Sequence, residues 1–451
     1  MYEDLRPPVA ERAFTSPALE ERRSDVQARI ADAELAWLFG NCLPNTLDTT
    51  VRHREVAGRP DTFVITGDIP AMWLRDSTAQ VWPYLRLAGE DPKLARLLAG
   101  VLNRQVDCVH LDPYANAFEP DPEALSRWAE DETEMLPGVH ERKYELDSLC
   151  AVLRLSRGYH AATGDAKPFD QRWREAMDLI VATIRREQRA PAEGEAPAYR
   201  FARRDARGTD TLPLRRGTTY PYRDCGLSRC AFRPSDDSVL LPFLVPANAM
   251  AVVELRALAR LYREVLGELE RAAEAESLAG EIDAAIRTYG TMRHPELGEV
   301  YAYEVDGFGS AYFMDDANVP SLLSLPYLGY CPADDPLYQA TRRGLLSLQN
   351  PFYSEGTAGR GIGGPHVGRG FIWPMAIIMQ AMTSQDDAEI RDCLRLLKTT
   401  HGGTGWMHET FWLDDPGKFT RKWFAWANTL FGELILELDQ TRPELLQTPL
   451  D

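Results

Sequence analysis

Apolar positions recur along this chain at the 3.6-residue period of helices in about twelve stretches. They cover residues 25–44, 74–88, 91–110, 144–162, 169–187, 246–264, 267–289, 317–329, 335–349, 370–383, 386–399 and 422–438. Two kinds alternate. "FDQRWREAMDLIVATIRREQ", "ELERAAEAESLAGEIDAAIRTYG" and "DDAEIRDCLRLLKTTHGG" carry one apolar stripe and one charged face, the pattern of a helix with one side in water. "SLCAVLRL", "NAMAVVEL" and "FIWPMAIIMQAM" are apolar nearly all round, which predicts burial on most sides. Six wet-faced helices alternating with six buried ones predict six helical hairpins closed in a ring, an all-α (α/α)6 barrel with the buried helices inside. Alternation in "REVAGRPDTFVIT" and "GEVYAYEVDG" predicts short β-hairpins in the loops. Two long irregular segments, 111–142 and 188–232, remain, and long loops in a compact domain often line sites. The 451 residues exceed the roughly 150 of an average domain. Barrels run larger, so the whole chain, 1–451, reads as one barrel domain.

The segments before the buried helices share a chemistry: "WLRDS", "YELDS", "FRPSDDS", "FMDDAN", "GGPHVGRGFIWP" and "WMHETFWLDDPGKFTRKWFAWAN". Asp-Ser at a helix start is first a capping pattern, because the side-chain oxygen accepts orphan backbone N–H bonds. Six such ends in a ring, however, converge on one pit. Its expected lining is Trp73, Arg75, Asp76, Asp147, Arg233, Asp236, Asp237, Asp315, Asp316, Asn318, His366, Arg369, Trp373, His408, Glu409, Trp412 and Trp426.

Composition narrows what such a pit can serve. A net charge of −18 argues against nucleic acid or an anionic membrane as partner. No run of 18 apolar residues predicts a membrane span. The N-terminal "MYEDLRPPVAERAF" has no apolar leader. Seven cysteines at irregular spacing match no zinc pattern, and Cys225 and Cys230 could pair or remain free. Reduced thiols and a cytoplasmic location are expected.

Carboxylates, amides and guanidiniums hold neighbouring hydroxyls through paired hydrogen bonds. Trp faces suit the C–H faces of a sugar ring. The pit therefore reads as a carbohydrate site. Competing readings exist residue by residue. Arg75 could form a buried salt bridge, Asp76 and Asp147 could be caps, and His366 could be structural. Asp315, Asp316 and Asn318 could hold calcium, although no EF-hand spacing is present. "PSDD" and "MDDAN" resemble the magnesium-diphosphate motifs of isoprenoid-handling α-barrels, but the polar, Trp-rich mouths fit sugars better.

"TGDIPAMWLRDSTAQVWPYL", "FRPSDDS", "FLVPANAMA", "GIGGPHVG" and "WMHETF" resemble glycoside hydrolase family 125, from about residue 25 to 440. The resemblance implies an (α/α)6 barrel and an inverting exo-α-1,6-mannosidase that needs no metal or cofactor and acts on α-mannoside oligosaccharides or glycans. It implies a general acid in "RPSDDS", Asp236 with Asp237 as the alternative, and Glu409 as the general base. Trp73, Arg75, Asp76, Asp147, Arg233, Asp315, Asn318, His366, Trp373 and His408 are the expected substrate contacts. Inversion requires roughly 6.5–9.5 Å between the two carboxyls, and an acid whose pKa is raised. The alternatives are the same fold acting on another α-linked sugar, such as glucose, and a barrel that binds sugar without cleaving it.

Overall fold

The computed structural model describes residues 2–450 apart from 192–195, 205, 207, 215 and 216, so parts of the 188–232 segment lie outside the described residues. The α-helices among the described residues begin with α1 (Pro17–Arg29), α2 (Ala33–Cys42), α3 (Asn45–Thr49), α4 (Leu74–Val81) and α5 (Pro92–Leu111). The middle of the chain forms α6 (Leu146–Thr163), α7 (Gln171–Arg186), α8 (Val245–Arg260), α9 (Leu269–Tyr289) and α10 (Leu325–Leu328). The last are α11 (Pro336–Leu345), α12 (Pro374–Met382), α13 (Asp387–Thr399), α14 (Ala425–Thr441) and α15 (Glu444–Gln447).

The two helix classes separate as their patterns predict. In α7 the buried residues Trp173, Ala176, Met177, Ile180, Val181 and Ile184 fall at helical spacing on one face. In α6, α8 and α14, residues are buried on nearly every face. Sequential pairs α4/α5, α6/α7, α8/α9 and α12/α13 pack together. The apolar helices touch in the order α10, α8, α6, α4, α14, α12. One contiguous apolar core runs from Leu19 to Leu450.

Capping follows the same two classes except at α9, which starts at Glu268 with no side-chain cap bond. Ser16, Asp32, Asp91, Asp170, Asp335 and Asp386 cap α1, α2, α5, α7, α11 and α13 through their side chains. The apolar helices α4, α6, α8, α12 and α14 start at Trp73, Glu145, Leu244, Trp373 and Phe424, none of which makes a side-chain cap bond. Backbone carbonyls serve instead at α4, α8 and α14, and the Cys230 sulfur at α6. Leu74 N–H donates to Asn116 (3.1 Å), Val245 N–H to Tyr303 (2.9 Å) and Ala425 N–H to Thr66 (3.1 Å). Two-residue strands, Met72–Trp73, Phe243–Leu244 and Phe371–Ile372, deliver the chain to α4, α8 and α12.

Several expectations are corrected. The chain is helix-rich but not all-α: the described residues form six sheets of two or three strands. The 25–44 stretch breaks into α1 and α2, because Asp32 takes the Glu34 and Leu35 N–H groups and starts a new helix. The 317–329 stretch is helical only over α10. Pro320 lacks an N–H, and the Asp315 carboxylate binds the Leu322 and Leu323 N–H groups at 2.8 and 2.9 Å, replacing a helical ladder. "REVAGRPDTFVIT" forms the expected hairpin, Val51–Val56 against Arg59–Val64. "GEVYAYEVDG" does not fold on itself. Gly298–Tyr301 pairs with Thr291–His294, whereas Glu304–Val305 pairs with Ala311–Tyr312 and Phe243–Leu244. Among the described residues no helix is long and apolar enough to cross a membrane.

Gly67 joins two mouth segments. Its φ is +118°, and an added Cβ would sit 2.5 Å from the Trp423 carbonyl oxygen. That approach lets Asp68 N–H reach the Trp423 carbonyl (3.3 Å) beside the Ala425–Thr66 bond. Gly67→Ala is expected to destabilise the protein by about 1–3 kcal/mol, through backbone strain and displacement of the 423–425 segment. Thermal unfolding of the variant measures this; an unchanged melting temperature would show that the segments adjust freely.

Candidate active site

A cavity opens where α4, α12 and α14 begin. Trp73, Arg75 and Asp76 line it from the α4 end, Trp373 from the α12 end, and Phe424 and Trp426 from the α14 end. Loops add Asp236, Asn318, His366, Glu409 and Arg421. Of the sequence-predicted site residues, the structure therefore brings Trp73, Arg75, Asp76, Asp236, Asn318, His366, Trp373, Glu409 and Trp426 into one cavity. A larger hollow lies between residues 355–360 and α13 and holds none of them.

Arg75 organises one side. Its guanidinium faces four carboxyls: it bonds Glu145, lies 3.5 Å from Asp147, and lies 3.4 Å from both Asp76 and Asp236. It also sits 5.7 Å above the Trp426 ring. The buried salt bridge and the cavity-lining residue are thus the same side chain. Asp76 is buried, and its Oδ2 has no hydrogen-bond partner among the described residues. It is not a cap; burial raises its pKa, with Arg75 pulling the other way.

Asp236 sits at φ +67°, a left-handed conformation that costs a non-glycine residue energy and is commonly stored at functional sites. Lys143 Nζ holds its backbone carbonyl at 2.8 Å, and Asn116 Nδ2 lies 3.2 Å from its carboxyl. Burial would raise its pKa, but Arg75 and Lys143 hold it below the usual carboxylate range. Its neighbour points elsewhere. Asp237 is 3% exposed against 23% for Asp236, and it faces Ser235 and His366 at 3.3 Å each.

Glu409 occupies a separate segment. Thr420 Oγ1 donates to its Oε2 at 2.9 Å, and Arg421 Nη1 lies 3.5 Å from Oε1. Arg421 is itself held by Asp68 at 2.9 Å and lies 4.6 Å from the Phe424 ring. Trp73 and Trp373 present indole N–H groups without partners among the described residues. Asp76 Oδ2, likewise without a hydrogen bond, has only Arg75 Nη2 at 3.4 Å.

Other expected residues lie outside the lining. Asp147 sits behind Arg75, fully buried, its pKa raised by burial to about 6. Arg233 is bound to Glu304 at 2.7 Å. Asp315 holds the turn before α10, burial raising its pKa to about 8. Asp316 accepts from Ser235 at 2.8 Å and from Asn318 at 3.1 Å. His408 packs 3.7 Å from the Phe419 ring and bonds Thr404; burial lowers its pKa to about 4. Arg369 is exposed, and Trp412 packs on Phe371. Cys225 and Cys230 are both free. Among the described residues no group of three His, Cys, Asp or Glu side chains is placed to hold a metal.

Sequence reasoning missed Glu145, Asn116, Lys143, Thr420 and Arg421. Glu145 precedes Asp147 in "YELDS", and Arg421 and Thr420 stand in "KFTRKWF"; both blocks drew notice for other residues. Asn116 and Lys143 come from the irregular 111–142 segment and its edge. Only their spatial position marks them.

Comparison with known proteins agrees with this geometry. The family described as metal-independent α-mannosidase, GH125, matches residues 32–436. The meiotically up-regulated gene 157 protein of Schizosaccharomyces pombe is 45% identical over 98% of this chain and 89% of its own length. A metal-independent α-mannosidase of Streptococcus pneumoniae, solved as a non-productive complex with α-1,6-mannobiose, is 40% identical. It superposes with a TM-score of 0.89 over 95% of this chain and 100% of its own. A bacterial glucoamylase complexed with acarbose, 12% identical, has a TM-score of 0.57 over 91% of this chain and 56% of its own. That likeness is one of fold alone, and it places the helices in the (α/α)-barrel class of glycosidases.

His366 supplies a pH test. Its side chain is 38% exposed at the cavity rim, with Nδ1 3.3 Å from Asp237. Burial would lower its pKa, but the bond to Asp237 and the nearby Glu409 and Asp236 raise it to about 9. A raised folded-state pKa stabilises below the ordinary value of about 6.5 and is lost as pH climbs through about 9. The stability gap between wild type and His366→Asn should therefore shrink across that window in urea unfolding. A gap constant from pH 6 to 10 would remove the charge pairing.

Proposed function

This chain belongs to glycoside hydrolase family 125 and is an α-mannosidase; from that premise we propose that it is an inverting, exo-acting α-1,6-mannosidase built as one six-hairpin barrel domain. One observation carries the reading: a single cavity brings the carboxyls of Asp236 and Glu409 together from separate segments with unlike surroundings, beside Asp76 next to Arg75. Asp236 is the general acid in preference to Asp237, because Asp236 faces the cavity and Asp237 is occupied by Ser235 and His366. Glu409 is the general base. The Thr420 hydroxyl and Arg421 stabilise its carboxylate, which takes a proton from water as the water attacks C1.

Trp73, Arg75 and Asp76 close one end of the cavity, which supports an exo action in which the terminal mannose enters and the rest of the chain stays outside. Asp76 Oδ2 and the two indole N–H groups bind its hydroxyls. The 40% identical relative's α-1,6-mannobiose complex supports the linkage. The free thiols suit a reducing cytoplasmic compartment.

Three measurements test this function. Glu409→Gln should lower kcat by roughly 10²–10⁴-fold or more while sugar affinity changes little; near-wild-type turnover would take Glu409 out of the reaction. Proton NMR of the first product should show β-mannose before mutarotation, whereas early α-mannose would mean retention. Asp76→Ala should reduce kcat/KM by roughly 10–100-fold, the worth of a charged hydrogen bond. A variant that melts early but turns over normally would make Asp76 purely structural.

A further inference from the structure

The charge around Arg75 does not balance. Asp76, Glu145, Asp147 and Asp236 all contact this one guanidinium, and four buried carboxylates against one cation would leave uncompensated charge away from water. Lys143 and His366 add cations on the Asp236 side and Arg421 one near Asp76, but each also serves other acids: Glu141 and Asp210, Asp237, and Asp68 and Glu409 respectively. Asn116 makes the same point by valence. Its Nδ2 carries two hydrogens yet lies 3.1 Å from Glu145 Oε1, 3.2 Å from Asp236 Oδ1 and 3.3 Å from Glu141 Oε2. Two hydrogens shared among three carboxyl oxygens leave this group short of donors, which a proton held on one of its carboxyls would relieve.

Position selects the carrier. Glu145 is fully buried and off the cavity wall, whereas Asp236 is on it. Asn116 Nδ2 and Arg75 each touch both residues, so the two carboxyls are neighbours. Glu145 is also equipped to lose its proton: Ser148 Oγ donates to Oε2 at 2.7 Å, and Arg75 bonds the same oxygen. We propose that Glu145 is the proton store for Asp236, holding in the free enzyme the proton that Asp236 delivers to the leaving group. The proposal rests on the reading of Asp236 as the general acid.

The electrostatics run the same way. Burial raises the Glu145 pKa well above the carboxylate range despite Arg75, while Asp236 is held low. The two titrate as a pair. An incoming glycosidic oxygen displaces water from Asp236 and favours its neutral form. The Glu145 O–H bond then breaks as the Asp236 O–H bond forms, leaving the Glu145 carboxylate on Arg75, Asn116 and Ser148. Asp236 passes the proton to the glycosidic oxygen as the C1–O bond breaks. Water adds to C1 and gives its proton to Glu409. After the products leave, Glu409 releases that proton to solvent, and one returns through Asp236 to Glu145. Glu145 is a positioning residue that acts through Asp236.

The experiment compares two leaving groups, because a dinitrophenolate departs without protonation and a sugar alkoxide does not. Glu145→Gln should lower kcat/KM on α-1,6-mannobiose by about 100-fold, the usual worth of a general acid, and on dinitrophenyl α-mannoside by far less. The alkaline limb of the mannobiose pH profile should move to lower pH. Ser148→Ala, a smaller change, should repeat the split in milder form if Glu145→Gln folds poorly, and Glu145→Asp should restore part of the mannobiose activity. Equal losses on both substrates with an unmoved alkaline limb would overturn the proposal, as would full activity on both. A wild-type enzyme inactive on α-1,6-mannobiose would refute the linkage reading instead; the same comparison then runs on the α-mannobiose it does cleave.

Discussion

A guanidinium buried among carboxyls is the constraint around which this molecule is arranged. Arg75 leaves α4 and meets Glu145 and Asp147 at the start of α6, Asp236 in the loop before α8, and its own neighbour Asp76. Removing such a charge from water costs several kcal/mol, and only well-placed partners recover it. The ends of α4 and α6 and the 233–238 turn therefore share one geometry. Lys143 and Asn116 tighten it by fixing the Asp236 backbone and carboxyl. That clamp holds Asp236 at φ +67° on the cavity wall while Asp237 turns away to His366.

The division of caps shows how a barrel keeps its mouth chemically free. Apart from α9, which starts at Glu268 without a side-chain cap, the solvent-facing helices close their N-termini with Asp or Ser side chains, the local and inexpensive solution. Of the inner helices, α4, α8 and α14 receive neighbouring backbone carbonyls instead, and α6 the Cys230 sulfur. Asp76, Asp147 and Trp73 are thereby released from capping. The small sheets are the fittings that make carbonyl capping possible, which is why a helix-rich fold contains them.

Much of this was legible in the primary structure. The alternation of wet-faced and all-apolar stretches located most helices within a few residues, because burial on one face or all faces writes a period into the sequence. It failed at 317–329, where Pro320 and the Asp315 carboxylate impose local bonds that hydropathy does not register. It failed again at "GEVYAYEVDG", whose strands pair with partners elsewhere in the chain. The mouth motifs correctly marked Trp73, Arg75, Asp76, Asp236, Asn318, His366, Trp373 and Glu409 as neighbours. The same motifs also marked Arg233, Asp315 and His408, which lie outside that lining and bond Glu304, the turn before α10 and Thr404.

The sequence by itself determined the helix classes, the convergence of polar motifs at one end, and the family. These depend on residue type and spacing along one chain. Only the tertiary structure decided which carboxyl of the Asp236–Asp237 pair faces the cavity, and that Glu145, Asn116 and Lys143 stand behind it. Side-chain direction at a left-handed backbone, and contacts between residues 29 to 120 positions apart, are set by packing that no local pattern encodes. Charge balance is likewise a property of the assembled site: four acids around one arginine become a proton-holding cluster only when folding removes the water between them.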